Sequence, residues 1–131
     1  MKKEKGFSLI EVIIALALLG VVAIAFLSAM ATGSKAIFIA DERATAESLA
    51  RAQLEFVRDQ DYDADITHDP PEYDLLPDIP AGYEINLIPE RLDPEGDGTD
   101  TDDGIQKITV VIKHHDKEIF SLVGYRTRRG L

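Results

Sequence analysis

The chain has 131 residues, a formal net charge of −10 and no cysteine. Its length suggests one small domain, and the missing cysteines exclude a disulfide framework. The negative charge argues against a protein that captures nucleic acid through its phosphates, so no nucleic-acid partner is expected.

The first segment of the chain combines a short basic leader with a long apolar run. Three lysines lie among the first five residues, and the 20 residues from Val12 to Ala31 contain nothing more polar than Ser28. As a helix this run is about 30 Å long, which matches the hydrocarbon core of a bilayer. The leader lysines predict a cytoplasmic N-terminus and an exported C-terminal part.

Glu11 is the one charged residue between Phe7 and Ala31. A carboxylate costs about 2.5–3.5 kcal/mol at the centre of a membrane helix on insertion scales, and less near its edge. The simplest reason to keep it is a partner cation that becomes available when subunits assemble.

The string Lys5-Gly6-Phe7-Ser8-Leu9-Ile10-Glu11-Val12, with the apolar residues that follow, resembles the N-terminal signal of type IV prepilins and type II secretion pseudopilins. The resemblance implies that a prepilin peptidase cuts after Gly6 and methylates the new N-terminus at Phe7. It also implies that Glu11 serves subunit assembly and sets the register. The implied partners are this peptidase, other pilin or pseudopilin subunits that form a filament, and an inner-membrane assembly platform. Many major pilins carry a proline in this helix, whereas the first proline here is Pro70.

A secretory signal peptide or a plain membrane anchor is the alternative interpretation. A cleavable signal has an apolar core of about 7–15 residues and a small-residue cleavage site, and this core is longer. A plain anchor requires neither a Gly-Phe junction nor a lone glutamate. The prepilin interpretation is therefore favoured, and the leader then comprises residues 1–6.

The helix is predicted to continue to about Arg58, because residues 34–58 lack glycine and proline and are rich in alanine. Glu47, Arg51 and Glu55 follow one another at i, i+4 spacing on a polar face, which is either solvated or packed on neighbouring subunits. The predicted apolar face, which should carry a sheet, comprises Phe38, Ile39, Ala46, Leu49, Ala50, Gln53, Leu54, Phe56 and Val57.

Residues 59–82 predict an irregular connection, because acids and prolines replace the helical pattern. The apolar and aromatic residues expected to pack it are Tyr62, Tyr73, Leu75 and Leu76. Strands are predicted at residues 83–87, 107–113 and 118–125, the last two as an antiparallel hairpin. The fold class is therefore α+β: a long N-terminal helix packed on a small antiparallel sheet, as the resemblance also implies. The predicted divisions are a membrane and assembly part at 7–33 and an exported domain at 34–131, with its β-region at 83–131.

An acidic loop between the first two predicted strands is the remaining candidate site. It is not an EF-hand, because Gly104 stands where that loop needs a bidentate glutamate. Hard oxygen ligands on a glycine-rich turn could still bind Ca²⁺, and some pilins and pseudopilins bind calcium in their β-region. A solvated acidic loop is the alternative. The candidate ligands are Asp93, Glu95, Asp97, Asp100, Asp102 and Asp103.

Other polar residues suggest no chemistry. His114 and His115 are adjacent, so on a strand they would point to opposite faces, and a turn is expected there. Three arginines, Arg126, Arg128 and Arg129, predict a solvated basic tail that could also pair with a neighbour's acidic loop. No nucleophile, base and orienting group occur together, so no enzymatic activity is expected.

The predicted function is a structural subunit of a type IV pilus or a type II secretion pseudopilus. A loose pattern at residues 46–55 and the closing hairpin favour a minor subunit. A major pilin, or a membrane-anchored adhesive or calcium-binding module that does not polymerise, remains the alternative. The expected location is the cytoplasmic membrane as a single-pass protein, and then an extracellular or periplasmic filament.

Overall fold

The computed structural model describes residues 6–96, 98 and 102–128, and contains one helix followed by three strands. The elements are α1 (Leu9–Asp59), β1 (Tyr83–Arg91), β2 (Ile105–His114) and β3 (Lys117–Thr127). The predicted α+β class is confirmed. The chain divides into two compact units, an N-terminal unit that ends at Ala40 and a head that begins at Asp41.

The N-terminal unit is helical from Leu9 onward, and its described side chains are exposed on every side of the helix. Leu9 is 82% exposed, Val22 64% and Phe38 75%. Among the described residues, α1 is the helix that is long and apolar enough to cross a membrane by length and composition. A helix that is apolar all round requires an apolar environment on all sides.

The predicted apolar face of the helix is wrong at Phe38 and Ile39. Both were expected to support the sheet, but both belong to the N-terminal unit and remain exposed. The helical face that carries the sheet begins at Ala46 instead, and Phe56 at its far end is only partly buried.

The core of the head lies between the second half of α1 and one face of the sheet. Positions 46, 49, 50, 53, 54 and 57 of α1 are buried at helical spacing, and β2 contributes its inward residues Ile108, Val110 and Ile112. Fully burying one such aliphatic side chain contributes about 1.5–3 kcal/mol. Gly124 on β3 permits close contact, because an added Cβ would lie 2.6 Å from Leu54 Cδ2.

The sheet is antiparallel in the order β1-β2-β3. The predicted hairpin is confirmed: β2 and β3 are joined by His115 and Asp116, both with positive φ (48° and 64°), as in a two-residue primed turn. All three strands extend beyond their predicted ends. β1 runs past Pro89 to Arg91, because β1 is an edge strand and an edge position tolerates a residue without an N–H group.

Candidate functional site

The predicted processing site lies immediately before the helix. Gly6 and Phe7 precede the first helical residue, Phe7 is 83% exposed, and a Cβ added at Gly6 would meet no atom within 4 Å. The peptide bond between them therefore lies in an accessible, non-helical segment. Its cleavage would leave two residues ahead of α1.

Ser8 and Glu11 form the start of α1, a role that was not predicted. The Ser8 carbonyl accepts hydrogen bonds from the amides of Glu11 (2.9 Å) and Val12 (3.2 Å), so Ser8 occupies the N-cap. Glu11 is the acid of the first turn, where a carboxylate interacts favourably with the helix dipole. The Ser-x-x-Glu spacing of a capping box was the available signal. Glu11 is exposed and has no ion-pair partner within the described part of the chain.

The acidic loop is held at both of its ends. At its start, the Asp93 carboxylate accepts hydrogen bonds from the amides of Gly96 (2.6 Å) and Gly98 (3.0 Å). At its end, Asp102 Oδ1 accepts from the Tyr62 hydroxyl at 2.8 Å, and the Asp102 side chain is only 5% exposed. The predicted ligands Asp97 and Asp100 lie outside the described residues.

Two carboxylate oxygens of this loop lack a hydrogen-bond donor among the described residues, although Arg128 Nη1 lies 4.0 Å from one of them, Asp102 Oδ2. Asp102 Oδ2 and Asp103 Oδ2 are buried and accept no hydrogen bond from the described chain. Oxygen donors of this kind are the ligands that Ca²⁺ prefers. Across residues 6–96, 98 and 102–128, however, no group of three histidine, aspartate or glutamate side chains is placed to hold a metal ion.

Tyr62 and Tyr73 join the 59–82 segment to the sheet. Burial, together with the hydrogen bond to Asp102 and the charge of that residue, raises the pKa of Tyr62 well above its ordinary value. Burial also raises the pKa of Tyr73, whose hydroxyl donates to Gln106. Leu76 packs against the core as predicted, whereas Leu75 is 42% exposed.

Arg91 organises the same segment and was missed by sequence reasoning. Its buried guanidinium donates to the carbonyls of His68 (2.6 Å), Asp65 (2.8 Å) and Asp63 (3.2 Å). These bonds satisfy backbone groups that no strand or helix pairs. The only sequence signal was an arginine at the end of an alternating strand.

The predicted basic tail is wrong for Arg126. This residue belongs to β3, is 9% exposed, and lies over the rings of Tyr62 and Tyr73, with its guanidinium carbon 5.9 Å and 5.1 Å from their centroids. Its guanidinium also donates to the carbonyl of Gln60. Arg128 follows β3 and is half-exposed, and Arg129 lies outside the described residues.

The turn expected at the histidine pair is present at His115, whereas His114 still belongs to β2. His114 ends β2, and its Nδ1 contacts the Glu42 carboxylate on α1. Its ring stacks on Tyr83, with centroids 4.3 Å apart, and lies 4.1 Å from the His115 ring. The two rings meet because His115 occupies the turn and not a strand, so strand alternation does not separate them.

Comparison with known proteins adds one finding. Residues 1–27 match the family model described as the prokaryotic N-terminal methylation motif. No curated protein and no solved structure matches the chain. The matched part contains Gly6, Phe7, Glu11 and most of the apolar run, and a motif of this type suggests a structural protein. The N-terminus therefore carries the methylation signal of type IV pilins and pseudopilins.

Proposed function

We propose that the protein is a structural subunit of a type IV pilus or a type II secretion pseudopilus, in the role of a minor subunit. The observation that carries this proposal is the coincidence, inside the matched motif, of an accessible Gly6–Phe7 bond with a lone Glu11 and an apolar run exposed all round. The chain enters the cytoplasmic membrane with its N-terminus inside. It then leaves the membrane as part of an extracellular or periplasmic filament.

Processing prepares the subunit for assembly. Prepilin peptidase cuts after Gly6, which removes the leader lysines and frees the amino group of Phe7. Methylation of that amine keeps its positive charge. The mature chain then carries one cation at the end of an apolar helix and one carboxylate, Glu11, four residues further on.

Assembly pairs these two charges between chains. Glu11 of an incoming subunit contacts the Phe7 amine of its neighbour, because each charge is costly in an apolar environment unless it is paired. The pair fixes the axial register, and the apolar helices then cover one another's side chains. Within one chain, the Phe7 amine is only four residues from Glu11, so an internal pair is the competing arrangement.

The experiment that tests this role compares two glutamate variants of the full chain. Glu11→Ala should be cleaved normally but should be lost from sheared filaments, because it retains the processing site and lacks the register charge. Glu47→Ala is the matched control, since Glu47 lies on an exposed part of the same helix, and it should enter filaments normally. Wild-type incorporation of Glu11→Ala contradicts the register role.

The minor role has its own test. A minor subunit should form only a small part of the protein in sheared surface filaments, although its removal reduces filament number. If this chain is instead the main component of those filaments, it is a major subunit.

Calcium binding by the acidic loop is a second proposal, supported by the two buried carboxylate oxygens of Asp102 and Asp103. We expect a dissociation constant of about 10⁻⁴–10⁻³ M, the range of extracellular calcium modules. Calcium titration of the full chain should raise the thermal midpoint of the head. Asp103→Asn should abolish this shift, and Asp116→Asn in the hairpin turn should retain it. An unchanged wild-type midpoint at millimolar calcium excludes the site.

A further inference from the structure

Three arginines line a cleft at the end of the head where α1 and β3 both end. Arg58 comes from the last turn of α1, and Arg126 and Arg128 come from the end of β3 and the residue just after it. The cleft has a volume of about 500 Å³. Asp59 and Asp61 also line it, so three cations face two carboxylates in a chain whose net charge is −10.

Arg126 carries a buried positive charge that pairs with no acidic side chain of the described residues. No carboxylate of the described chain lies within ion-pair distance of it, and its second terminal nitrogen, Nη1, is buried without a hydrogen-bond partner. A buried cation is stabilised by a nearby counter-charge, and here the aromatic rings beneath it and one carbonyl supply only part of that stabilisation. A carboxylate entering the cleft would supply the missing counter-charge.

Arg58 and Arg128 are the cations that an incoming group can reach. Their side chains are 48% and 49% exposed. Arg58 contacts Glu55 through one nitrogen in an exposed i, i+3 pair, and Arg128 Nη1 is 4.0 Å from Asp102 Oδ2, too far for a hydrogen bond. Both guanidinium groups therefore retain free donors in the geometry that matches a carboxylate.

Asp59 and Asp61 restrict the kind of ligand that the cleft can bind. Their charge disfavours a polyanion such as a nucleic acid, whereas a single carboxylate meets three arginines against two aspartates. The proposed function supplies the source, because a filament places other pilin-type subunits beside this head. This chain shows how acidic such a subunit can be, with 24 aspartates and glutamates in 131 residues.

We propose that this arginine cleft receives a carboxylate side chain of a neighbouring pilin-type subunit. The inference rests on the proposed function in one respect, that assembly brings the head beside other subunits. The contact lies in the head, and is separate from the pairing of Glu11 with the Phe7 amine.

The test uses Arg128→Lys in the full chain, within native membranes and sheared filaments. The variant keeps the positive charge and presents an amine that a carbodiimide couples to a carboxylate in direct contact. Peptide mapping should find an amide link from position 128 to an acid of another subunit that carries the N-terminal methylation motif. Mixing isotope-labelled with unlabelled chains distinguishes a second copy from the same copy. Arg58→Lys, on the opposite wall, should give a link to the same neighbour.

Arg51→Lys is the matched control, because Arg51 is an exposed arginine of the same helix that already contacts Glu47 at 2.6 Å. It should link only within its own copy. Links from Arg128→Lys that join only its own acids, such as Asp102, or a protein without the motif, overturn the cleft proposal. The mass of the mature N-terminus is read from the same material. Correct processing with only same-copy links overturns the cleft alone, and an uncut leader overturns the proposed function as well.

Discussion

The two parts of α1 meet different surroundings although they belong to one helix. Before Ala40, large apolar side chains point in every direction and are exposed: Leu16 is 62% exposed and Ile24 68%. After Asp41, apolar residues recur at three- and four-residue spacing, and Ala46, Ala50 and Val57 are fully buried on the sheet.

This difference shows where each part obtains its stability. The second part is covered by its own chain, so its packing on the sheet stabilises the head. No described residue covers the side chains of the first part, so the proposed function assigns that role to lipid and then to other subunits. Substitutions in the second part should therefore change the stability of the head. Substitutions in the first part should change assembly instead.

The largest expected effect comes from deleting a core side chain of the head. Ile108→Ala should reduce the free energy of unfolding of the head by about 2–5 kcal/mol, because Ile108 is fully buried between α1 and the sheet. Leu19→Ala, at a position 64% exposed in the N-terminal unit, should leave it unchanged. Chemical unfolding of the full chain in detergent measures both. Equal losses in the two variants would contradict the division.

Two glycine substitutions should change stability in opposite directions in the head and in the N-terminal unit. Gly124→Ala should destabilise the head by about 1–3 kcal/mol, because the new Cβ would lie 2.6 Å from Leu54 Cδ2 and force the core to move. Gly33→Ala meets open space in the N-terminal unit and should stabilise its helix by about 1 kcal/mol. Thermal unfolding followed by circular dichroism distinguishes the two signs.

Alkaline pH should destabilise the head as Tyr62 loses its phenolic proton. Because the pKa of Tyr62 is raised in the folded head, the folded state holds the phenolic proton more tightly than the unfolded state does. This contribution is complete below about pH 10, the ordinary tyrosine pKa, and is lost as the pH rises through the folded-state value. The free energy of unfolding, measured from pH 8 to 11, should fall as the pH rises, and Tyr62→Phe should make this fall smaller. Tyr125→Phe, at an exposed position, is the control and should retain the full loss.

The smallest expected effect concerns the solvent side of α1 in the head. Glu47→Gln should cost only about 0.3–0.5 kcal/mol, because its pair with Arg51 is exposed and screened by water. Added salt should reduce the difference further. A loss of several kcal/mol would mean that this face is buried against something other than solvent.

Sequence periodicity was sufficient for the framework of the fold. Helical spacing located the buried face of α1 from Ala46 to Val57, alternation located the first two strands, and an apolar run after the turn located the third. It failed at Phe38 and Ile39, because a helical wheel shows which residues share a face and not how far along the helix the partner surface extends.

The polar contacts of the head could not be predicted in the same way. The partners of Arg91 and Arg126 are backbone carbonyls and aromatic rings more than 20 residues away, so no local pattern indicates them. The predicted i, i+4 pair of Glu47 and Arg51 is present. Glu55 does not pair with Arg51, as its spacing suggested, but with Arg58. The N-terminal motif could be identified without the fold, because its residues are neighbours in sequence.

The intact mass of the mature protein shows whether the leader is removed after Gly6. Native material should begin at Phe7 and carry the mass of one added methyl group, and Gly6→Val should retain the full leader. A native chain that keeps all its leader residues, or one that is cut elsewhere, would rule out the proposed assembly, because the Phe7 amine that Glu11 is proposed to meet would never be formed.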